Sequence, residues 1–199
     1  MWSDGAVKLN EIVALWERVM SAGRMEEARL DDAASFARQL RTWIGDEPGR
    51  FDVFEERTGD DVTGWLLDFG FELARAGRVG DAIEHCDRFA PFGNAEAFLG
   101  DRVVILSEAG RHDEAVAAAG ALLGRFPDHA WSHIVAADAF QRIGDETRTE
   151  TGYLRALELE ATEPHTVEGV LERLVPWFEQ LGRGKEAQLI AAGARSRLG

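Results

Sequence analysis

The chain has 199 residues, 45% of them hydrophobic and 29% charged, enough for one substantial core or two modest domains. Its 36 acidic against 22 basic side chains give a net charge of −14, which repels phosphate and makes nucleic acid and anionic membrane poor partners. A single cysteine, Cys86, excludes an intramolecular disulfide framework and fits a reducing compartment.

Taken along the chain, helix is the expectation nearly throughout. The opening "MWSDGAVK" lacks the basic start and apolar core of a signal peptide. Residues 9–44 read as a helical pair broken near Gly23 in "AGRMEEA", the second helix carrying Phe36, Leu40, Trp43 and Ile44 on one stripe. Gly45, Pro48 and Gly49 stop it. The next stretch, "GDEPGRFDVFEERTGDDV" at 45–62, is too long for a structureless connection inside a compact domain. Phe51, Val53 and Phe54 therefore predict a short helix or anchor packed on its neighbours, with a lid over a groove as the alternative.

From residue 63 the pattern becomes periodic. Trp65, Leu66, Phe69 and Leu73 fall at helical spacing before Gly77, and Ala82, Cys86 and Phe89 follow it. Leu99, Val103 and Leu106 precede Gly110, with Ala115, Ala119 and Leu122 after it. Ile134, Ala137 and Phe140 precede Gly144, with Tyr153, Ala156 and Leu157 after it, and "LGRGKEA" repeats the break at Gly182. The breaks at Gly23, Gly77, Gly110, Gly144 and Gly182 are separated by 54, 33, 34 and 38 residues. A period near 34 is the signature of stacked helical hairpins. Glycine ends the first helix of each because it alone turns left-handed without steric penalty. Asp81 and Asp113 then lie where carboxylates favour a helix N-terminus, and Pro91, Pro127 and Pro164 fall near helix ends.

Few side chains converge on chemistry. His129, His133 and Asp128 could share a metal only if His129 lay inside a helix, and it precedes the start expected near Trp131. Both histidines read as ordinary surface residues, and no metal or cofactor is expected. In "EHCD" at 84–87, His85 and Cys86 diverge by about 100° around a helix, so they form no thiol–imidazole pair. Cys86 falls on the apolar stripe as a small hydrophobe. Glu26, Glu27, Asp31 and Asp32 read as a solvated acidic face. The longest apolar run, 115–124, is about half the length that spans a bilayer. No catalytic residues are expected.

Gly77 with Ala82, Gly110 with Ala115 and Pro127, Gly70 after Phe69, and "YLRALELEATEP" at 153–164 resemble the tetratricopeptide repeat (TPR) family. The likeness covers 63–199 well and 9–44 by analogy, and departs from the pattern at Thr149, where the family has a small residue. It implies an all-α fold, a right-handed α-solenoid of about five hairpins. Residues 1–60 would form an N-terminal hairpin plus irregular insertion, and 61–199 a repeat region, packed as one continuous solenoid.

The resemblance also implies a concave surface lined by the first helix of each hairpin. Its positions here are Leu67, Phe71 and Arg75, then Gly100, Val104 and Glu108, then Ile134, Asp138 and Gln141, with Trp131 one turn earlier. Chaperone-binding members hold a peptide's terminal carboxylate with Lys and Asn at such places. Leu67, Phe71, Gly100 and Val104 stand there instead, so that clamp is not expected. The implied function is a non-catalytic, cytoplasmic scaffold or adaptor for protein association, its groove taking a basic, amphipathic helix or peptide. Alternatives are a homodimer or other self-association through the same surface, burial against the N-terminal hairpin, or a regulatory subunit's small ligand.

Overall fold

The structure is a computed structural model that describes residues 3–21, 27–92 and 94–198. The described residues form eleven α-helices and no strand: α1 (Ser3–Ser21), α2 (Glu27–Ile44), α3 (Gly49–Thr58), α4 (Val62–Arg75), α5 (Val79–Phe89), α6 (Ala95–Glu108), α7 (His112–Arg125), α8 (Ala130–Ile143), α9 (Glu146–Leu159), α10 (Pro164–Gln180) and α11 (Gly184–Arg195). α1 with α2, α4 with α5, α8 with α9 and α10 with α11 pair in chain order, as the repeat predicts. The break at Gly23 and the side chains of Glu26 and Glu27 lie outside the described residues. The chain divides into two compact units, Met1–Asp101 and Arg102–Gly199.

The glycine turns explain why the sequence repeats its phrase. Gly77, Gly110, Gly144 and Gly182 all have φ between 71° and 82°. At each, the residue after the glycine donates its N–H to the carbonyl five residues before itself: Arg78 to Leu73, Arg111 to Leu106, Asp145 to Phe140 and Arg183 to Phe178. These are Schellman closures, which satisfy carbonyls that the helix end leaves free. Leu73, Leu106, Phe140 and Phe178 are all buried, so each turn is also pinned by a core side chain.

The arginine of Gly-Arg has its own task. Arg78 pairs with Asp81, Arg111 with Glu114 and Arg183 with Glu186, each three residues on in the first turn of the next helix. Arg78 and Arg183 also reach back to the second helix of the preceding hairpin, Arg78 to Asp31 and Arg183 to Glu150. Gly144 is followed by Asp145 instead, whose side chain accepts from the Arg148 N–H as a helix cap.

Five residues after these four glycines stand Ala82, Ala115, Thr149 and Ala187, all fully buried. Thr149 replaces the small residue of the pattern without an unmet polar group, because its hydroxyl donates to the Asp145 carbonyl at 2.7 Å. The close approach between α8 and α9 is made three residues later, at Gly152.

The first unit is held by aromatic rings in series. Trp16 of α1 lies 5.0 Å from Phe36, Phe36 lies 5.4 Å from Trp65, and Trp65 stacks on Phe69 at 4.9 Å. Phe69 meets His85, which meets Phe89, which meets Phe98 at 6.1 Å. Phe98 thus takes the core place expected of Leu99, which is only half-buried. The insertion contributes to the core: α3 packs on α1 and α2 with Phe51 and Phe54 buried. Val53, expected to anchor it, is exposed. Trp16 Nε1 donates to Asp60 at 2.7 Å and ties the end of the insertion to α1. In the second unit Tyr153, Leu157, Val170, Leu174, Trp177 and Phe178 form the centre of the core.

Candidate interaction surface

On α8, residues 131, 134, 138 and 142 fall within a narrow arc at 100° per residue, so they form one stripe. The stripe opens with Trp131, 42% exposed although its ring is large and apolar. Ile134 follows, half-buried against the core of the C-terminal helices. Asp138 comes next and is the hub of a polar network. The Tyr153 hydroxyl, rising from α9, donates to Asp138 Oδ1 at 2.6 Å, and Gln141 Oε1 lies 2.8 Å from the same hydroxyl. Arg173 of α10 donates to Asp138 Oδ2 at 3.2 Å. Arg142 reaches α6, 3.4 Å from Ser107 and 3.5 Å from Glu108.

The Asp138 network thus ties α8 to α9 and α10, and Arg142 separately ties α8 to α6. Burial, together with the hydrogen bond to Asp138, pushes the Tyr153 hydroxyl far above its ordinary pKa, so the proton stays on oxygen.

In the first unit, Leu67, Phe71 and Arg75 follow one another at four-residue spacing on α4. Leu67 and Phe71 are half-buried, and Arg75 is exposed and paired with Glu72 at 2.7 Å. Gly100 on α6 is buried. Beside it, Asp101 is half-buried: loss of water, with the nearby negative charge of Asp68, pushes its carboxyl up to about 7. In the second unit Val104 is half-buried and Glu108 exposed. The structure thus places Asp138 and Gln141 about the Tyr153 hydroxyl and Glu108 on Arg142, with Trp131 and Ile134 on the same stripe of α8.

The residues weighed for chemistry take structural places. His129 stands at the residue before α8 without capping it, and His133 Nε2 donates to the Pro127 carbonyl at 2.8 Å. Cys86 is buried on the apolar stripe as expected. His85 is buried too, 3% exposed, and donates from Nε2 to the Leu66 carbonyl at 2.7 Å. Burial depresses its pKa to about 4, so it is a neutral core group. Among the described residues no group of His, Cys, Asp and Glu has the arrangement of a metal site, and no helix is long and apolar enough to cross a membrane.

Sequence reasoning missed Tyr153, Arg142, Arg173 and Ser107 as surface-building residues. A signal for three of them was present. Ser107–Arg142, Glu108–Arg142 and Asp138–Arg173 lie 35, 34 and 35 residues apart, one repeat length in each case. Equivalent positions of neighbouring hairpins are spatial neighbours in a stack, so partners are found by stepping one period along the chain.

A comparison with models of known protein families finds no match, and neither does one with curated proteins. Solved structures with a similar fold do exist. MamA 41-end from Desulfovibrio magneticus RS-1 is 12% identical, with a TM-score of 0.56 over 96% of this chain and 94% of that one. A MamA RS-1 ArsTM double mutant is 14% identical, with a TM-score of 0.53 over 96% and 92%. A crystal structure of MamA is 13% identical, with a TM-score of 0.52 over 87% and 95%. Identities this low show the fold alone: an all-α, TPR-like fold of helical hairpins.

Proposed function

We propose that the chain is a non-catalytic member of the TPR family that works as a protein-interaction scaffold or adaptor in the cytoplasm, holding a peptide or helix on its first-helix faces. The observation that carries this reading is the α8 stripe, where an exposed Trp131 leads into a polar network already held in place. Binding energy at protein interfaces concentrates on aromatic anchors bordered by ordered polar groups. Because the Tyr153 hydroxyl holds Asp138 before a partner arrives, little ordering entropy of these two groups remains to be lost on binding. Leu67, Phe71 and Arg75 of α4, and Val104 and Glu108 of α6, serve the same purpose in this reading. The net charge of −14 favours a partner with basic residues beside an apolar stripe.

The test is Trp131→Ala. The reading expects affinity-captured partners to be lost at an unchanged melting temperature. A fall in oligomer mass would transfer the surface to self-association, and loss of the fold would make Trp131 a core residue.

A further inference from the structure

α10 packs on both α8 and α9, so the first helix of one hairpin lies along the furrow between the two helices of the hairpin before it. Two furrows have no such helix on them among the described residues. The one between α10 and α11 holds about 600 Å³ and is lined by those two helices alone. Its floor is apolar, with Leu171 and Ala191 buried, Val175 half-buried and Pro176 exposed. On the first hairpin, a furrow of about 300 Å³ runs between α1 and α2 over Ile12 and Trp43. It lies away from the next hairpin: Ala34 and Ala37 of α2 turn toward α5, and Gln39 and Trp43 line the furrow on the opposite side of α2.

The two furrows carry free charge of opposite sign. Glu168 is held by Arg195 at 2.7 Å, but Glu172 and Glu179 are exposed and make no ion pair among the described residues. Pro176 has no N–H for the Glu172 carbonyl four residues back, so this face also keeps a backbone acceptor without its usual helix donor. Along the first furrow Lys8 and Arg38 are exposed and equally unpaired, with Glu11 the one acid in the lining. A positive furrow is an exception on a chain of net charge −14. Beside the furrow of the last hairpin, Leu189 projects from α11 at 75% exposure, about 60° around the helix from Ala192 of the lining.

We infer that copies of this chain dock head to tail: α1 of one copy lies in the furrow between α10 and α11 of another, whose α11 brings Leu189 into the furrow between α1 and α2. Lys8 and Arg38 then meet Glu172, Glu179 and the Glu172 carbonyl, and Leu189 covers Ile12 and Trp43. Both halves of the contact are present on this one chain, which singles out a second copy over a foreign partner. The contact repeats between molecules the way one hairpin packs on the next within them. Because it joins two different surfaces, it does not close on itself at two copies. It uses neither Trp131 nor Asp138, and so stands apart from the α8 stripe.

The test is sedimentation velocity of the full chain from micromolar to near-millimolar concentration, at low and high salt. Mass is expected to rise with concentration, and the association to weaken with salt because the charges are exposed. Leu189→Glu, and Lys8→Glu combined with Arg38→Glu, should each weaken it at least about tenfold. All three side chains are exposed, so the melting temperature should not change. Each of these variants keeps the furrow that the other has lost. A mixture of the two should therefore form a one-to-one complex and go no further. Glu172→Lys combined with Glu179→Lys should restore association with the Lys8→Glu, Arg38→Glu variant. A monomer at every concentration, a variant that associates like the parent, or a mixture that stays apart would each overturn the assignment. So would a lower mass for Trp131→Ala, which would move the contact to the α8 stripe.

Discussion

Gly152 of α9 lies against Ala137 of α8 so closely that a Cβ built on the glycine would stand 2.9 Å from the Ala137 Cβ and 3.2 Å from the His133 carbonyl oxygen. One of those two neighbours is backbone, so no rotamer change relieves the clash. Gly152→Ala should therefore cost about 1–3 kcal/mol, despite the better helix propensity of alanine. Urea denaturation measures it, and an unchanged midpoint would mean that the two helices do not approach this closely.

Ala115, five residues after Gly110 near the start of α7, is fully buried. Ala115→Leu adds three carbons where there is no exposed path for them and should lower stability by about 1–3 kcal/mol. Ala117, two residues on and about 200° around the helix, is exposed and should accept leucine within about 0.5 kcal/mol. The contrast between the two substitutions fixes the register of α7.

Tyr153→Phe keeps the ring packed and removes the hydroxyl that donates to Asp138. A half-buried carboxylate then loses a charge-assisted donor, for a loss of about 1–3 kcal/mol. Asp138 retains Arg173, so the fold should survive and Trp131 fluorescence report a folded α8. A partner that uses the polar network should bind more weakly to this variant even well below its melting temperature.

Two groups of the first unit give opposite pH dependences. His85 has an ordinary pKa of 6.5 and about 4 when folded, so the unfolded chain takes up its proton first as pH falls. Its contribution is intact above 6.5 and lost progressively toward 4. Asp101 runs the other way: an ordinary 3.8 raised to about 7 means that the folded chain binds the proton first. Its contribution is complete below 3.8 and lost as pH rises through about 7. Between about 4 and 6.5 the two oppose each other. Asp101→Asn removes one, so its urea midpoint should fall more steeply than that of the parent on acidification from neutral pH, and should be higher than the parent's above pH 7. Parallel curves for the two proteins would show that Asp101 titrates at its ordinary value.

Much of this architecture was legible from residue order because its determinants are local. A left-handed glycine, the helix start that follows it and a buried residue four positions earlier all act within one turn, so Gly77, Gly110, Gly144 and Gly182 mark their turns unaided. The twofold use of Gly-Arg was visible as a phrase, and its i,i+3 pairing with Asp81 or Glu114 is again local. What residue order left open were the contacts made between hairpins. The insertion could be read as lid or core because burial of Phe51 and Phe54 depends on where α1 and α2 stand, not on the sequence of α3. The burial of His85, the reach of Tyr153 to Asp138 and the furrow between α10 and α11 likewise arise only when faces of different helices meet. Helical period decides which side chains share a face; it takes the packing of one helix on another to decide what that face touches, and hence its charge state and its chemistry.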